Sequence, residues 1–353
     1  MKRTGIAFVL PLILLLSACG GTGAGTSATP TAGPTETPLS LSDYIPFREN
    51  IRMSYSGEGN EYSEFTAWAE YFENGAYQVR SSNPGTDSVS VFTLEDGAVK
   101  LVFFRGETYY RQNYTDRREM EEIILQEPIE EGNSWTLDDG AVRTITDLDA
   151  DVKVPYGTFK ALEVTTERDD DTMKEYYVAD LGLVKSEFIP AGDASSSVVS
   201  QLEMVEENVP YTQTVQFYYP DFNNDRLVYT EKSLELYTGD DIKKIFQQQF
   251  ISVPEGSGLS PLMSPNASIL SISMDDKTGI ATVDFSREFL TEMNAGSSLE
   301  TMLLDSVADT VGRYFQTEKV GITLEGEPYE SGHYRIGSGE YWPADWEGIQ
   351  EYK

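Results

Sequence analysis

The 353-residue chain carries 59 acidic against 26 basic residues, a formal net charge of -33, with 39% apolar residues, one cysteine and one histidine. Such acidity excludes the basic patch that nucleic-acid binding requires, so no nucleic-acid partner is expected. The apolar content, with 21 Tyr and 16 Phe, is enough to build packed cores without any disulfide.

Lys2 and Arg3 precede an apolar run from Ile6 to Leu16, and small residues then lead into Cys19. This is the layout of a secretory signal peptide, since a membrane-spanning helix needs roughly 20 apolar residues. Leu16-Ser17-Ala18-Cys19 resembles the bacterial lipobox. That resemblance implies cleavage before Cys19, acylation of its thiol and anchoring at the outer face of the cytoplasmic membrane. Two acyl chains hold a protein there at about 0.8 kcal/mol per buried methylene. The alternative is an ordinary signal peptide that happens to contain a cysteine. Removing residues 1–18 leaves 353 - 18 = 335 residues, room for two domains. Gly20 to Ser42 is Gly, Thr, Ala, Ser and Pro with few apolar residues, so 19–45 reads as the lipidated cysteine and a flexible tether.

Residues 46–208 read as an antiparallel β-domain. Phe65 to Phe72 runs into Glu73-Asn74-Gly75 and out through Tyr77 to Arg80, and Asn-Gly between strand-like runs is the strongest hairpin signal. Further runs turn at Asp96-Gly97, Arg105-Gly106, Asp139-Gly140 and Arg168 to Asp171, and a last strand starts at Val198. Glu119 to Leu125 reads as a short helix. Strands every eight to twelve residues indicate a meander, sandwich or open barrel. Trp135, Val154 to Phe159, Tyr176-Tyr177 and Gly182-Leu183-Val184 resemble a curved-sheet domain of bacterial envelope proteins. In the related lipoprotein carriers, such a half-barrel holds acyl chains.

Val209-Pro210 starts a different pattern over 209–330, with strands and helices in the order β-β-α-β-β-α-β. Asp240-Asp241 precedes an apolar stripe of Ile242, Ile245, Phe246 and Phe250 at helical spacing. Ser298 to Phe315 places Leu299, Met302, Leu303, Ser306, Val307, Thr310, Val311 and Tyr314 on one helical face. The order, with Gly279-x-Ala281-x-Val283-Asp284-Phe285-Ser286-x-Glu288-Phe289 and Glu325-Gly326, resembles the GerMN domain of sporulation and germination lipoproteins. Family members often carry Gly-Pro after the first helix, where this chain has Val253-Pro254, and commonly two copies, where this chain has one. The resemblance implies interaction rather than catalysis, because such modules act as ring-building or docking units. The expected fold is therefore α+β, a curved antiparallel sheet followed by a small GerMN-like domain, with an aromatic acidic tail over 331–353.

The chemistry-bearing inventory is thin. With Cys19 acylated no thiol nucleophile remains, and His333, the one histidine, lies among small polar residues and reads as a surface side chain. Asp138-Asp139 and Asp169 to Asp171 fall at turns, which favour Asp. Asp221-x-Asn223-x-Asp225 imitates a calcium loop, but Arg226 replaces its glycine and Lys232 its bidentate Glu. No metal, cofactor or catalytic residue is expected. From Tyr211 onward there are 23 acidic and 10 basic residues, a net of -13, and Lys243, Lys244, Arg313 and Lys319 lie on or beside the two helices. These four, with Trp342 and Trp346 of the tail, are the candidate contacts for an envelope protein partner; packing of the two tryptophans onto their own domain is the alternative. Homo-oligomers are possible if like charges stay off the contact. The rival functions are a carrier, which needs an apolar pocket of several hundred Å³ in the β-domain, and a hydrolase, which needs a pair of carboxylates in a cleft.

Overall fold

The computed structural model describes residues 39–353; the signal peptide, Cys19 and most of the tether lie outside them. The first region is a twelve-stranded antiparallel sheet. Its chain order is β1 (Ile51–Glu58), β2 (Phe65–Glu73), β3 (Ala76–Ser82), β4 (Asp87–Glu95), β5 (Ala98–Arg105), β6 (Glu122–Gln126), β7 (Ser134–Thr136), β8 (Val142–Val154), β9 (Gly157–Glu167), β10 (Asp171–Val178), β11 (Gly182–Pro190) and β12 (Val198–Glu207). In space the order is β6-β5-β4-β3-β2-β1-β12-β11-β10-β9-β8-β7, two meanders joined where the first strand pairs with the last. Ile51 meets Glu207 and Glu58 meets Val199, with a bulge at Ser54/Tyr55 that adds twist.

The sheet curls until its ends meet without closing. No ladder joins β6 to β7 among the described residues. Instead the Trp135 indole N–H and the Arg143 guanidinium both donate to the Ile123 carbonyl, at 3.0 and 2.9 Å. The Ile123 carbonyl of this edge strand is therefore satisfied by side chains. Glu119 to Leu125 is thus mostly strand, where a helix was expected. Its Ile123-Ile124-Leu125 run is short, and pairing with Leu101 to Ala98 decides its form.

The tether expectation needs a second correction. Residues 41–44 form a helical turn, α1 (Leu41–Tyr44), with a capping box between Ser40 and Asp43. Leu41 and Tyr44 are buried against Val99 and Leu125 from one arm of the sheet and Trp135, Ile145, Leu162, Val164 and Tyr177 from the other. The chain thus enters its own concave face, and only the segment before it can act as a tether.

The second region follows the expected order: β13 (Tyr211–Asp221), β14 (Arg226–Leu236), α2 (Ile242–Phe250), β15 (Ile269–Asp275), β16 (Ile280–Phe285), a short α3 (Glu288–Thr291), α4 (Ser297–Phe315) and β17 (Lys319–Leu324). Three further pieces, β18 (Glu327–Pro328), β19 (Trp342–Pro343) and β20 (Gln350–Glu351), complete two sheets, β13-β14-β20 and β15-β16-β17 with β18 and β19 both on β17. Asp241 caps α2 by accepting from Lys243 N. Phe217, Phe246, Phe250, Phe285, Phe289, Val307, Val311 and Ile322 share one continuous core with Ala344 of the tail. Leu299 is exposed, against expectation, whereas Ala308, Asp309 and Gly312 on the opposite side of α4 are buried. The tail covers that second side.

Candidate functional site

The two regions meet on the outer face of β2–β4. Glu70, Gln78 and Arg80 alternate on that face and are fully buried. Arg80 Nε donates to Glu70 Oε1 at 2.7 Å, and its two terminal nitrogens donate to the carbonyls of Thr108 and Tyr110. Burial opposes the Arg80 charge, but the Glu70 carboxylate and the Tyr211 and Asp87 groups more than offset it and hold the guanidinium above its ordinary value. Gln78 Nε2 donates to Glu70 Oε2 and to the Gln112 carbonyl, both at 2.8 Å. Arg111 donates to the carbonyls of Glu70 and Tyr237 at 2.8 and 2.6 Å, and its own N–H donates to the Tyr314 hydroxyl of α4.

These bonds pin residues 107–115 between the sheet and the second region. Tyr110 belongs to the core of the second region, 4.9 Å from the Phe315 ring centroid. The Gln112 amide pairs with Met274 in both senses, donating to its carbonyl at 3.2 Å and accepting from its N–H at 2.7 Å. It stands in for a neighbouring strand on the edge of β15. Asp276, at the β15–β16 turn, pairs with Arg105 and Arg117. A second clamp joins Asn50 to Thr238 through two reciprocal bonds of 2.8 and 2.9 Å. None of these residues was singled out from the sequence. Polar side chains at alternate positions of otherwise apolar strands, Glu70 across from Gln78 and Arg80, were the available signal.

One sheet edge stays open. Tyr218 N donates to Thr310 Oγ1 of α4, so the backbone of β13 that faces away from β14 is covered there. At Thr214 and Gln216 the same outward groups have no partner among the described residues, and beside them lies a polar groove of about 280 Å³. It is lined by Tyr109, Gln213, Glu231, Arg313 and Gln316 among others. Gln216 Oε1 accepts from Arg313 Nε at 3.3 Å, and Gln216 Nε2 donates to Glu231 at 3.1 Å, so both charges flanking the groove are already engaged.

The four candidate cations are not brought together. Lys243 reaches the Leu270 carbonyl and its own cap Asp241, and Lys244 borders a cleft with Arg111 and Asp241 at the junction. Arg313 stacks over Trp346 and Lys319 over Tyr341, each 5.8 Å from the ring centroid. The two tryptophans pack on their own domain: Trp342 pairs with Val320 and donates to Asp305 at 2.8 Å.

The remaining expectations fall at or beside turns and bends, exposed at Asp139 and His333 but buried at Asp221. Asp139 accepts from Ala141 N and pairs with Arg168, Asp221 accepts from Asn224 and Arg226, and His333 is exposed. The concave face of the sheet holds an apolar cavity of about 160 Å³ lined by Met53, Tyr55, Ala69, Val79, Phe92 and Leu183 among others. Pockets for drug-sized ligands run from about 300 to 1,000 Å³.

Residues 206–330 match the family model Germane, described as sporulation and spore germination. Among solved structures, the first GerMN domain of the sporulation protein GerM from Bacillus subtilis is 17% identical, covers 38% of this chain and 94% of its own, and gives a TM-score of 0.26. The tandem GerMN domains of the same protein give 18% identity and a TM-score of 0.26, over 38% of this chain and 45% of theirs. A candidate exported protein of Bacteroides fragilis with a YmcC-like fold is 12% identical over 46% of this chain and 98% of its own, with a TM-score of 0.30. No curated protein matches. The Germane segment carries the open edge of β13, the capped edge of β15 and the stacked rings of Phe250, Phe285 and Phe289. The tail lies beyond it.

Proposed function

We propose that the chain is a non-enzymatic binding or scaffolding protein outside the cytoplasmic membrane, tethered by acylated Cys19, with a role in sporulation, germination or envelope assembly. The Germane match supports the sporulation-related reading, and the lipobox-like Leu16 to Cys19 supports the tether. Buried carboxylates serve structure in this reading: Glu70 holds Arg80, and Glu300 accepts from Tyr329 at 2.8 Å.

The observation that carries a binding role is the open edge of β13. An extended segment can add there as a strand, because main-chain bonds supply affinity whatever the side chains. A second copy fits this edge poorly, since two strongly acidic chains would be opposed. The partner is therefore a neutral or basic extended segment of an envelope protein, seated beside Arg313. The carrier reading is weakened by the cavity size and by Leu41 and Tyr44, which occupy the concave face themselves.

A photo-crosslinking residue at Gln216 of the tethered protein should give a discrete adduct. Thr214→Pro should abolish it, because proline removes an outward N–H and leaves the β13–β14 ladder intact. An adduct that survives Thr214→Pro, or one that forms only from Lys244, moves the contact to the α2 end. Cys19→Ala should release the protein from a salt-washed membrane pellet, and retention there would sink the anchor.

A further inference from the structure

The tail is a strap around the second region. It runs antiparallel along β17 at Trp342 and Pro343, crosses α4, and ends parallel to β14, where Tyr352 N donates to the Tyr229 carbonyl at 2.8 Å. Gly312 makes the crossing possible: a Cβ there would stand 2.6 Å from Ala344 Cβ and 3.1 Å from the Trp346 ring. At this crossing the strap meets carboxylates. Trp342 Nε1 donates to Asp305 Oδ1 at 2.8 Å, and Asp345 N donates to Asp309 Oδ1 at 2.7 Å.

Asp309 is 2% exposed and one helical turn from Asp305. Facing it are Asp305 on its own helix, Asp345 on the strap and the Tyr218 hydroxyl on β13, whose ionisation Asp309 further disfavours. Arg313, the nearby cation on α4, is engaged with Gln216 and Trp346. We propose that Tyr341–Tyr352 is a proton-gated strap, seated on α4 most firmly while Asp309 is protonated and loosened as that carboxyl ionises.

Burial pushes Asp309 up to about 7; the Asp345 N–H pulls it down, and the charges of Asp305 and Asp345 raise it further. Burial also raises Asp305, against the pull of the Trp342 N–H. Once the strap lifts, Asp309 becomes an ordinary helix-surface carboxyl titrating near 4. A group whose seated value lies above its released value favours seating fully below the released value. That contribution is lost as pH rises from about 4 to about 7, by roughly tenfold in the seating equilibrium per unit. Above that range the strand pairs and Ala344 still hold the strap. Lifting it would bare the outer edge of β14 at Val228 and Tyr229 and the groove at Gly312.

Amide exchange of the full chain between pH 5 and 8, corrected for intrinsic rates, tests this. Opening of Ala344, Asp345 and Tyr352 should rise about tenfold per unit up to neutrality and then level off, while β16 amides stay flat. Asp309→Asn keeps the acceptor and removes the charge, so its strap should open equally at every pH. A flat wild-type profile, an unchanged slope in Asp309→Asn, or a slope shared with β16 would each overturn the strap. Should Asp309→Asn fail to fold, the tryptophan emission of the wild type decides: no transition with a midpoint near 7 overturns it equally.

Discussion

The two regions solve burial in opposite ways. The second stacks two small sheets and three helices around one continuous apolar core. The first is a single curled sheet whose apolar residues fall into separate clusters, and its largest fully buried side chains include Arg80 and Arg111. A layer of helices satisfies its own backbone, so it can cover a sheet with apolar contacts alone. The outer face of β2–β4 is instead covered by the irregular segment 107–115, which brings unpaired carbonyls with it. Guanidinium groups, with five donors in a fixed fork, are the side chains best suited to satisfy several carbonyls at once. Buried charge in the first region follows from what covers it.

Point substitutions and one truncation sharpen this contrast. The largest effect is expected in the second region. Phe285 stacks 4.0 Å from Phe289 and faces Phe250, so Phe285→Ala should cost about 3–5 kcal/mol in a chemical melt. A loss below 1 kcal/mol would mean the core is not continuous. Next comes the junction. Glu70→Gln leaves buried Arg80 with only Asp87, 3.5 Å away, to offset its charge, worth about 3 kcal/mol, and should split one melting transition into two as the regions uncouple. Replacing the pair together by Leu and Met should not recover the loss, because the Thr108 and Tyr110 carbonyls and the Gln78 amide would then lose partners; full recovery would show that the ion pair alone, and not the covering carbonyls, sets the need for Arg80. The smallest effect belongs to Gln112→Ala, about 1–2 kcal/mol, because it strips Met274 of two bonds at an edge that water can partly reach. Residues 211–353 alone should still melt cooperatively, but at lower temperature than in the full chain, having lost Tyr110 and this cap; a non-cooperative melt would show that the junction is part of the core.

Much of the architecture was legible in residue order. Hairpin signals at Asn74-Gly75, Asp96-Gly97 and Asp139-Gly140 mark real turns, and the change of pattern near Pro210 falls between β12 and β13. The α+β class and the order of the Germane segment followed from period-2 and period-3.6 spacing, because such spacing is a local property of the chain. What the spacing could not supply was which surfaces meet. Glu122 to Gln126 became a strand because a neighbour offered an edge, and Leu41 and Tyr44 left the tether because two arms of the sheet curl around them. The face of α4 that reads as solvent-facing, with Asp309 and Gly312, is buried only because a distant tail crosses it. The open backbone of Thr214 and Gln216 has no sequence signature either, since N–H and C=O groups are the same in every residue and only the final packing decides which lack a partner.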